Sequence, residues 1–243
     1  MESRFSHLAV EALFPRFCAS CKREGSLLCN TCESQWAPVA RPASCAFCGT
    51  LGSDRTCASC RDYVYLDGLT SFAPYGNPVV RELLAHWKYQ SDRSVEKILG
   101  NCLQRAAMRL SPPILPFYAT SVPLHEKRRL ERGFDQADLV AHWVGELFGI
   151  PVETYLKRVA STSPQARTSH ETRRVGEMDG VFKLIDEVPD HILLCDDVFT
   201  SGTTMDAAAR VLKEAGTKTV WGFVIAKASG ELQGSHAHQG HDM

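Results

Sequence analysis

At 243 residues the chain is long enough for one good-sized domain and a smaller module. A hydrophobic content of 44% with 23% charged residues is ordinary for a soluble globular protein, and a net charge of -1 excludes a global field that recruits nucleic acid or membrane. No apolar run approaches the roughly 20 residues that span a bilayer, and the opening "MESRFSHLAVEALFP" lacks the charged-then-apolar layout of a signal peptide, so a cytoplasmic protein without membrane insertion is expected.

Ten cysteines would suggest a disulfide framework if they were spread out, but eight fall within the first sixty residues. They form four Cys-x-x-Cys pairs: Cys18/Cys21, Cys29/Cys32, Cys45/Cys48 and Cys57/Cys60. Such a turn aims two thiolates at one point, and two turns complete a tetrahedral zinc site. Taken in order, the pairs make two compact ribbons joined by "ESQWAPVARPAS", whose two prolines suit a connector. A cross-braced pairing of first with third fits the same count. Disulfides and redox dithiols are the alternatives, but a redox Cys-x-x-Cys normally occurs once, at a helix start after a strand. Two closed structural zinc sites are expected, supplying on the order of 10 kcal/mol of folding free energy each and no chemistry. Cys102 and Cys195 stand apart and read as buried, inert thiols.

From Tyr63 the pattern changes. "GLTSFAPY" predicts a strand, and "GNPVVRELLAHWKY" a helix with Asn77 as cap, Pro78 in the first turn and Val79, Leu83, Leu84 and Trp87 on one face. "SVEKILGNCLQRAAMRL" predicts a second helix, stopped by Pro112 and Pro113; "FYATSVP" is a strand; "QADLVAHWVGELFG" is a helix. "IPVETYLKR" and "GVFKLI" read as strands around a polar loop, "HILLCDDV" as a strand covered on both faces, "TTMDAAARVLKEAG" as a helix and "KTVWGFVIAKA" as the last strand. The alternation predicts an α/β domain with a doubly wound, mainly parallel sheet. The expected division is a zinc-ribbon module over 13–62, the α/β domain over 63–228 and a disordered tail over 229–243.

Ligands of such sheets sit beyond the carboxyl ends of the strands. The strand ending at Val198 delivers Asp196 and Asp197 to that edge, and successive strand residues point to opposite faces, so the two acids are expected to do different jobs. The following "FTSGTT" opens a helix. Its amides and positive dipole end suit a phosphate, Gly202 permits close backbone approach, and Thr200, Ser201, Thr203 and Thr204 offer hydroxyls. A ligand with both a phosphate and hydroxyls, such as ribose 5-phosphate, reconciles the acids with the anion site.

"LLCDDVFTSGTT" resembles the phosphoribosyl-pyrophosphate signature of type I phosphoribosyltransferases. "LFPRFCASC", "LLCNTC", "AHWKYQSD", "VPLHEKRRLERGFDQADLVA" and "LKRVASTSPQA", in that order and followed by the same signature, are similar to the ComF family over roughly residues 13 to 226. That resemblance implies a type I phosphoribosyltransferase-like fold behind a zinc ribbon, with Mg arriving on the pyrophosphate and a link to DNA uptake in competent bacteria. It implies catalytic roles for Asp196, Asp197 and Arg174. Substrate contacts would come from Val198, Thr200, Ser201, Gly202, Thr203 and Thr204, from Lys127, Arg128 and Arg132 of a pyrophosphate loop that also holds Arg129, and from Arg173. Thr162, Gln165, Arg173 and Arg174 match the family's mobile loop, and Lys88 matches its "KY". Asp135 and Glu177 stand where the family usually has asparagine, and a carboxylate facing pyrophosphate would be repulsive.

Two functions follow. One is a phosphoribosyltransferase whose acceptor no motif names, with the zinc module as its hood; base salvage is a weaker form of it. The other is a non-catalytic phosphosugar- or nucleotide-binding adaptor whose ribbons dock single-stranded DNA or uptake proteins. The ribbons carry Lys22, Arg23, Arg41, Arg55 and Arg61, but no dense basic or aromatic stripe.

Overall fold

The computed structural model describes residues 15–36, 43–89, 93–107, 110, 118–126, 129–130, 133–159 and 180–228. In chain order the elements are α1 (Asn30–Gln35), α2 (Ala58–Arg61), β1 (Gly68–Pro74), α3 (Pro78–Tyr89), α4 (Ser94–Ala106), β2 (Tyr118–Ser121), α5 (Gln136–Phe148), β3 (Leu156–Arg158), β4 (Phe182–Leu184), β5 (His191–Phe199), α6 (Thr203–Glu214) and β6 (Thr219–Lys227). The main sheet is wholly parallel, in the order β1-β6-β5-β2, with an antiparallel β3-β4 pair apart from it. This is the expected α/β architecture with a cysteine module. The expected disordered tail lies outside the described residues.

Local chemistry sets the helices. The Asn77 side chain accepts the Val79 and Val80 amides at 2.9 and 3.3 Å, capping α3 ahead of Pro78 as predicted, while Val79, Val80, Leu83, Leu84 and Trp87 are buried. In α4 the buried set Val95, Ile98, Leu99, Cys102, Leu103 and Ala106 keeps helical spacing. That helix spans Ser94–Ala106, and residues 108 and 109 of the predicted continuation to Leu110 lie outside the described residues. Another difference concerns "IPVETYLKR". Val152 makes a parallel bridge to Ala119 of β2, whereas Leu156–Arg158 pairs antiparallel with Phe182–Leu184, so one predicted strand serves two separate partners.

Each face of the sheet has its own core. On one, α3, α4 and α5 pack with Leu193, Cys195, Trp221, Phe223 and Ile225. On the other, α6 and the β3-β4 pair cover Ile192, Leu194, Val220 and Val224. This double cover explains why Ile192 through Cys195 are all fully buried, and why the strand reads as a continuous apolar run.

The cysteine units are built into these two layers. Cys18, Leu27 and Leu28 join the first core, the Trp36 ring meets Phe72 edge-on at 5.5 Å, and Arg105 of α4 donates to the Glu33 carbonyl at 2.8 Å. The second unit runs along β1: Leu69 donates to the Asp54 carbonyl and Thr56 to the Asp67 carbonyl, each at 2.9 Å. Gly68 is required at that approach. A Cβ there would overlap the Trp221 ring and lie 2.7 Å from the Asp54 carbonyl oxygen.

Candidate phosphosugar site and metal centres

The eight ribbon cysteines resolve into two groups by sequential pairing: Cys18, Cys21, Cys29 and Cys32, then Cys45, Cys48, Cys57 and Cys60. Within each group the sulfurs lie within 4.8 Å of one another. A tetrahedron with Zn–S bonds of about 2.3 Å has edges of about 3.8 Å. Cys21 and Cys29 stand 3.8 Å apart and Cys48 and Cys57 3.4 Å apart, so the arrangement fits a metal of that geometry, and the cross-braced alternative falls away. All ten cysteines are free thiols. Burial pushes the Cys18 thiol up, but the Cys21, Cys29 and Ser20 backbone groups outweigh it and bring the thiol down to about 6. Cys48 likewise falls to about 6, burial being overcome by Thr50, Cys57 and Cys60. By contrast Cys102 is raised to about 11 by burial, as expected of an inert thiol.

At the carboxyl edge of the sheet, β5 presents Asp196 and Asp197. Asp197 is 9% exposed, and its carboxylate meets the Lys88 ammonium of α3 at 2.7 Å. Asp196 is half-buried and accepts the Asp197 amide at 2.8 Å. Burial raises the Asp196 carboxyl well above its usual 3.8; Asp197 and Asp135 add to this, and the Asp197 amide and Lys88 oppose it. Opposite-face separation is thus only part of the story, because both acids feel one lysine and each other.

Next to them, Leu124 in the loop after β2 donates to one oxygen of Asp135 at 3.1 Å, and Ala137 donates to the other at 3.0 Å. Asp135 therefore caps α5 with one oxygen and accepts the Leu124 amide with the other, while its charge is still felt at Asp196. Its carboxyl is pushed up by burial against the pull of those amides. Arg129 is exposed within the closed loop. Lys127, Arg128 and Arg132 lie outside the described residues, as do Thr162, Gln165, Arg173, Arg174 and Glu177.

After Val198 and the buried Phe199, the chain turns through exposed Thr200 and Ser201 into Gly202, the N-cap of α6, at φ 81°. Glycine offers the first-turn amides no side-chain oxygen. Ser201 Oγ lies 2.9 Å from the Thr203 hydroxyl, so the hydroxyls cluster at the helix mouth, with Thr204 half-buried beside them. A Cβ on Gly202 would overlap the Phe199 ring and stand 2.8 Å from Phe47 of the second cysteine unit. Asp206, one turn on, accepts the Tyr65 and Leu66 amides at 2.7 and 3.0 Å, tying α6 to the chain leaving that unit.

Sequence reasoning marked Lys88 without a role and missed Phe47 and Asp206. The Asp135 cap was legible as an acid directly preceding a helical pattern. Among the described ribbon cations, Lys22 pairs with Glu82 at 3.1 Å, Arg55 lies over the Trp221 ring at 5.7 Å, and Arg61 donates to the Thr56 carbonyl at 3.3 Å. Elsewhere, a groove of 210 Å³ between α4 and α5 is lined by Gly100, Leu103, Gln104, Trp143, Glu146 and Leu147, with one titratable group. Among the described residues no helix is long and apolar enough to cross a membrane.

No family model matches the chain. Competence protein F of Haemophilus influenzae is 28% identical over 215 residues, 82% of this chain and 90% of that protein. The DNA utilization protein YhgH of Salmonella typhi is 32% identical over 163 residues, 63% of this chain and 68% of that one. The chain belongs to the ComF family. Competence protein ComFC of Bacillus subtilis, a further ComF relative, is 27% identical over 197 residues, covering 78% and 79%. Among solved structures, the AQ2163 protein from Aquifex aeolicus is 9% identical over 65% of the ComF chain and 86% of its own, with TM-score 0.36. A purine phosphoribosyltransferase from Pyrococcus horikoshii Ot3 is 12% identical over 58% and 84%, with TM-score 0.29. Overlaps this loose carry no residue correspondence.

Proposed function

We propose that this ComF-family chain binds phosphoribosyl pyrophosphate with its Mg at the carboxyl edge of β2 and β5, and that it transfers the phosphoribosyl group to an acceptor. The observation that carries this reading is the direct passage from the acids of β5 into a glycine-capped helix mouth ringed by hydroxyls. In it, Thr200 to Thr204 hold the 5-phosphate with first-turn amides, and Asp196 and Asp197 accept from ribose hydroxyls. Lys88 holds the Asp197 carboxylate in place through their 2.7 Å ion pair. The basic loop after β2, with Lys127, Arg128 and Arg132, receives the pyrophosphate, whose charge grows as the glycosidic bond breaks. Arg173 and Arg174 belong to a lid that excludes water from the sugar cation. Mg supplies charge neutralisation on the departing pyrophosphate. Zinc in the two cysteine groups holds shape.

The test is calorimetric binding of phosphoribosyl pyrophosphate with Mg, followed by pyrophosphate release across a panel of bases and amines. Binding with release supports the transferase; no binding by wild type overturns the reading. Asp197→Asn weakens binding, and unchanged affinity in that variant moves the pocket elsewhere. A second reading is favoured by the relatives' names, which speak of competence and DNA utilization and of no transfer reaction. On that reading the chain is a phosphosugar-gated adaptor acting in DNA uptake, with the cysteine units docking single-stranded DNA or uptake proteins. Thermal stabilisation by the phosphosugar without pyrophosphate release across the whole panel selects it.

A further inference from the structure

We infer that Phe47, carried on the second cysteine knuckle, is a positioning residue for the phosphosugar loop, so that metal at Cys45, Cys48, Cys57 and Cys60 sets the shape of the anion site. The inference rests on the function proposed above and names what regulates that site. Phe47 lies inside the Cys45-Ala46-Phe47-Cys48 turn, so both flanking cysteines fix its backbone once they share a metal. Its ring meets Phe199 edge-on at 5.6 Å. Phe199 is buried at the end of β5, and the same Phe47 ring closes over Gly202. Gly202 is thus held between an aromatic from its own loop and one from the cysteine unit, at a positive φ that only glycine adopts cheaply. Two further ties keep the knuckle at this edge. Ala46 joins the core that holds Phe199, Met205 and Val122, and buried Lys227, paired in register with Phe199, donates to the Cys45 carbonyl at 3.4 Å. The first cysteine unit makes its aromatic contact with Phe72 in mid-β1. A metal held there would brace the fold without touching the loop.

The mechanical consequence is definite. The amides of residues 202–205 bind an anion only when Gly202 keeps its left-handed turn. Loss of the Phe47 ring removes one wall of that turn, while the cysteines, and hence the metal, stay in place.

The experiment compares wild type, Phe47→Ala, Phe47→Leu and Trp36→Ala as full-length, metal-loaded protein. Three quantities are measured: bound zinc per chain, the Kd for phosphoribosyl pyrophosphate with Mg, and hydrogen exchange of backbone amides 200–206. Phe47→Ala is expected to keep wild-type zinc, to bind the phosphosugar about tenfold more weakly and to exchange the loop amides faster by a similar factor. Phe47→Leu falls between the two. Trp36→Ala lowers the melting temperature but leaves the loop readouts at wild-type values. Should Phe47→Ala fail to fold, Phe47→Leu against Trp36→Ala decides the matter by the same readouts. A Phe47 variant with wild-type loop exchange overturns the inference. If wild type itself binds no phosphosugar, the proposed function fails, and exchange at 200–206 alone decides whether the knuckle positions the loop.

Discussion

The two cysteine units share a ligand set and nearly the same spacing, yet they hold different things. The first lies against helices: Trp36 on Phe72, Glu33 bonded to Asn101 and Arg105 of α4, and Lys22 paired with Glu82 of α3. The second lies against the sheet and its carboxyl edge, with Asp54 and Thr56 along β1, Tyr65 and Leu66 held by Asp206, and Phe47 over Gly202. One is a brace and the other a wall. A four-cysteine unit has no function written into its cysteines; what it touches decides.

The sharpest break of that comparison is to disable each unit in turn. Cys29→Ser and Cys57→Ser each remove a ligand from a site worth on the order of 10 kcal/mol of local folding free energy, so both variants melt well below wild type. Calorimetric titration at a temperature where both remain folded is expected to show phosphosugar binding kept by Cys29→Ser and lost by Cys57→Ser. Equal loss would erase the distinction between brace and wall.

Lys88 and Asp197 come next. Their side chains are 21% and 12% exposed, so Lys88→Met strands a largely buried carboxylate and costs up to about 3 kcal/mol in urea unfolding. The double variant Lys88→Met/Asp197→Asn recovers much of this, and additive losses would show the pair to be uncoupled.

A gentler effect comes from pH. Asp196, Asp135 and Asp206 all have carboxyls raised above 3.8, chiefly by burial. The folded chain therefore keeps protons that the unfolded chain has already released. Stability is highest below 3.8 for these groups and falls as pH climbs from there through their raised folded values. Asp190, exposed and held down by Lys218, runs the opposite way. Asp196→Asn flattens the decline and adds about 1 kcal/mol at neutral pH, a few degrees of melting temperature, while weakening the proposed binding. A melting curve series from pH 4 to 8 with an unchanged slope in the variant would contradict this.

The smallest effect is at the brace surface. Lys22 is 66% exposed, so Lys22→Met changes stability by no more than about 0.5 kcal/mol and leaves loop exchange untouched.

How much was legible depends on how far apart the interacting residues lie in the chain. The cap at Asn77 and the run from Ile192 into Gly202 rest on neighbours within a few positions, and sequence patterns report such neighbours directly. The stretch 150–158 was misread as one strand because alternation reports extended backbone, not the partner it pairs with. Lys88 against Asp197 and Phe47 against Gly202 join residues more than a hundred positions apart, and no local pattern encodes them.

By itself the sequence determined the layered α/β architecture, the four Cys-x-x-Cys pairs and the acid-then-hydroxyl passage at the end of β5, because each follows from periodicity, ligand spacing or capping within a short window. Tertiary structure alone decided which cysteine pairs meet, that Asp135 also accepts the Leu124 amide, that a lysine from α3 faces the acids, and that the second cysteine unit stands at the sheet's carboxyl edge. Those outcomes come from burying two faces of one sheet at once. That requirement brings distant segments to the same edge, and only the folded chain shows which ones arrive.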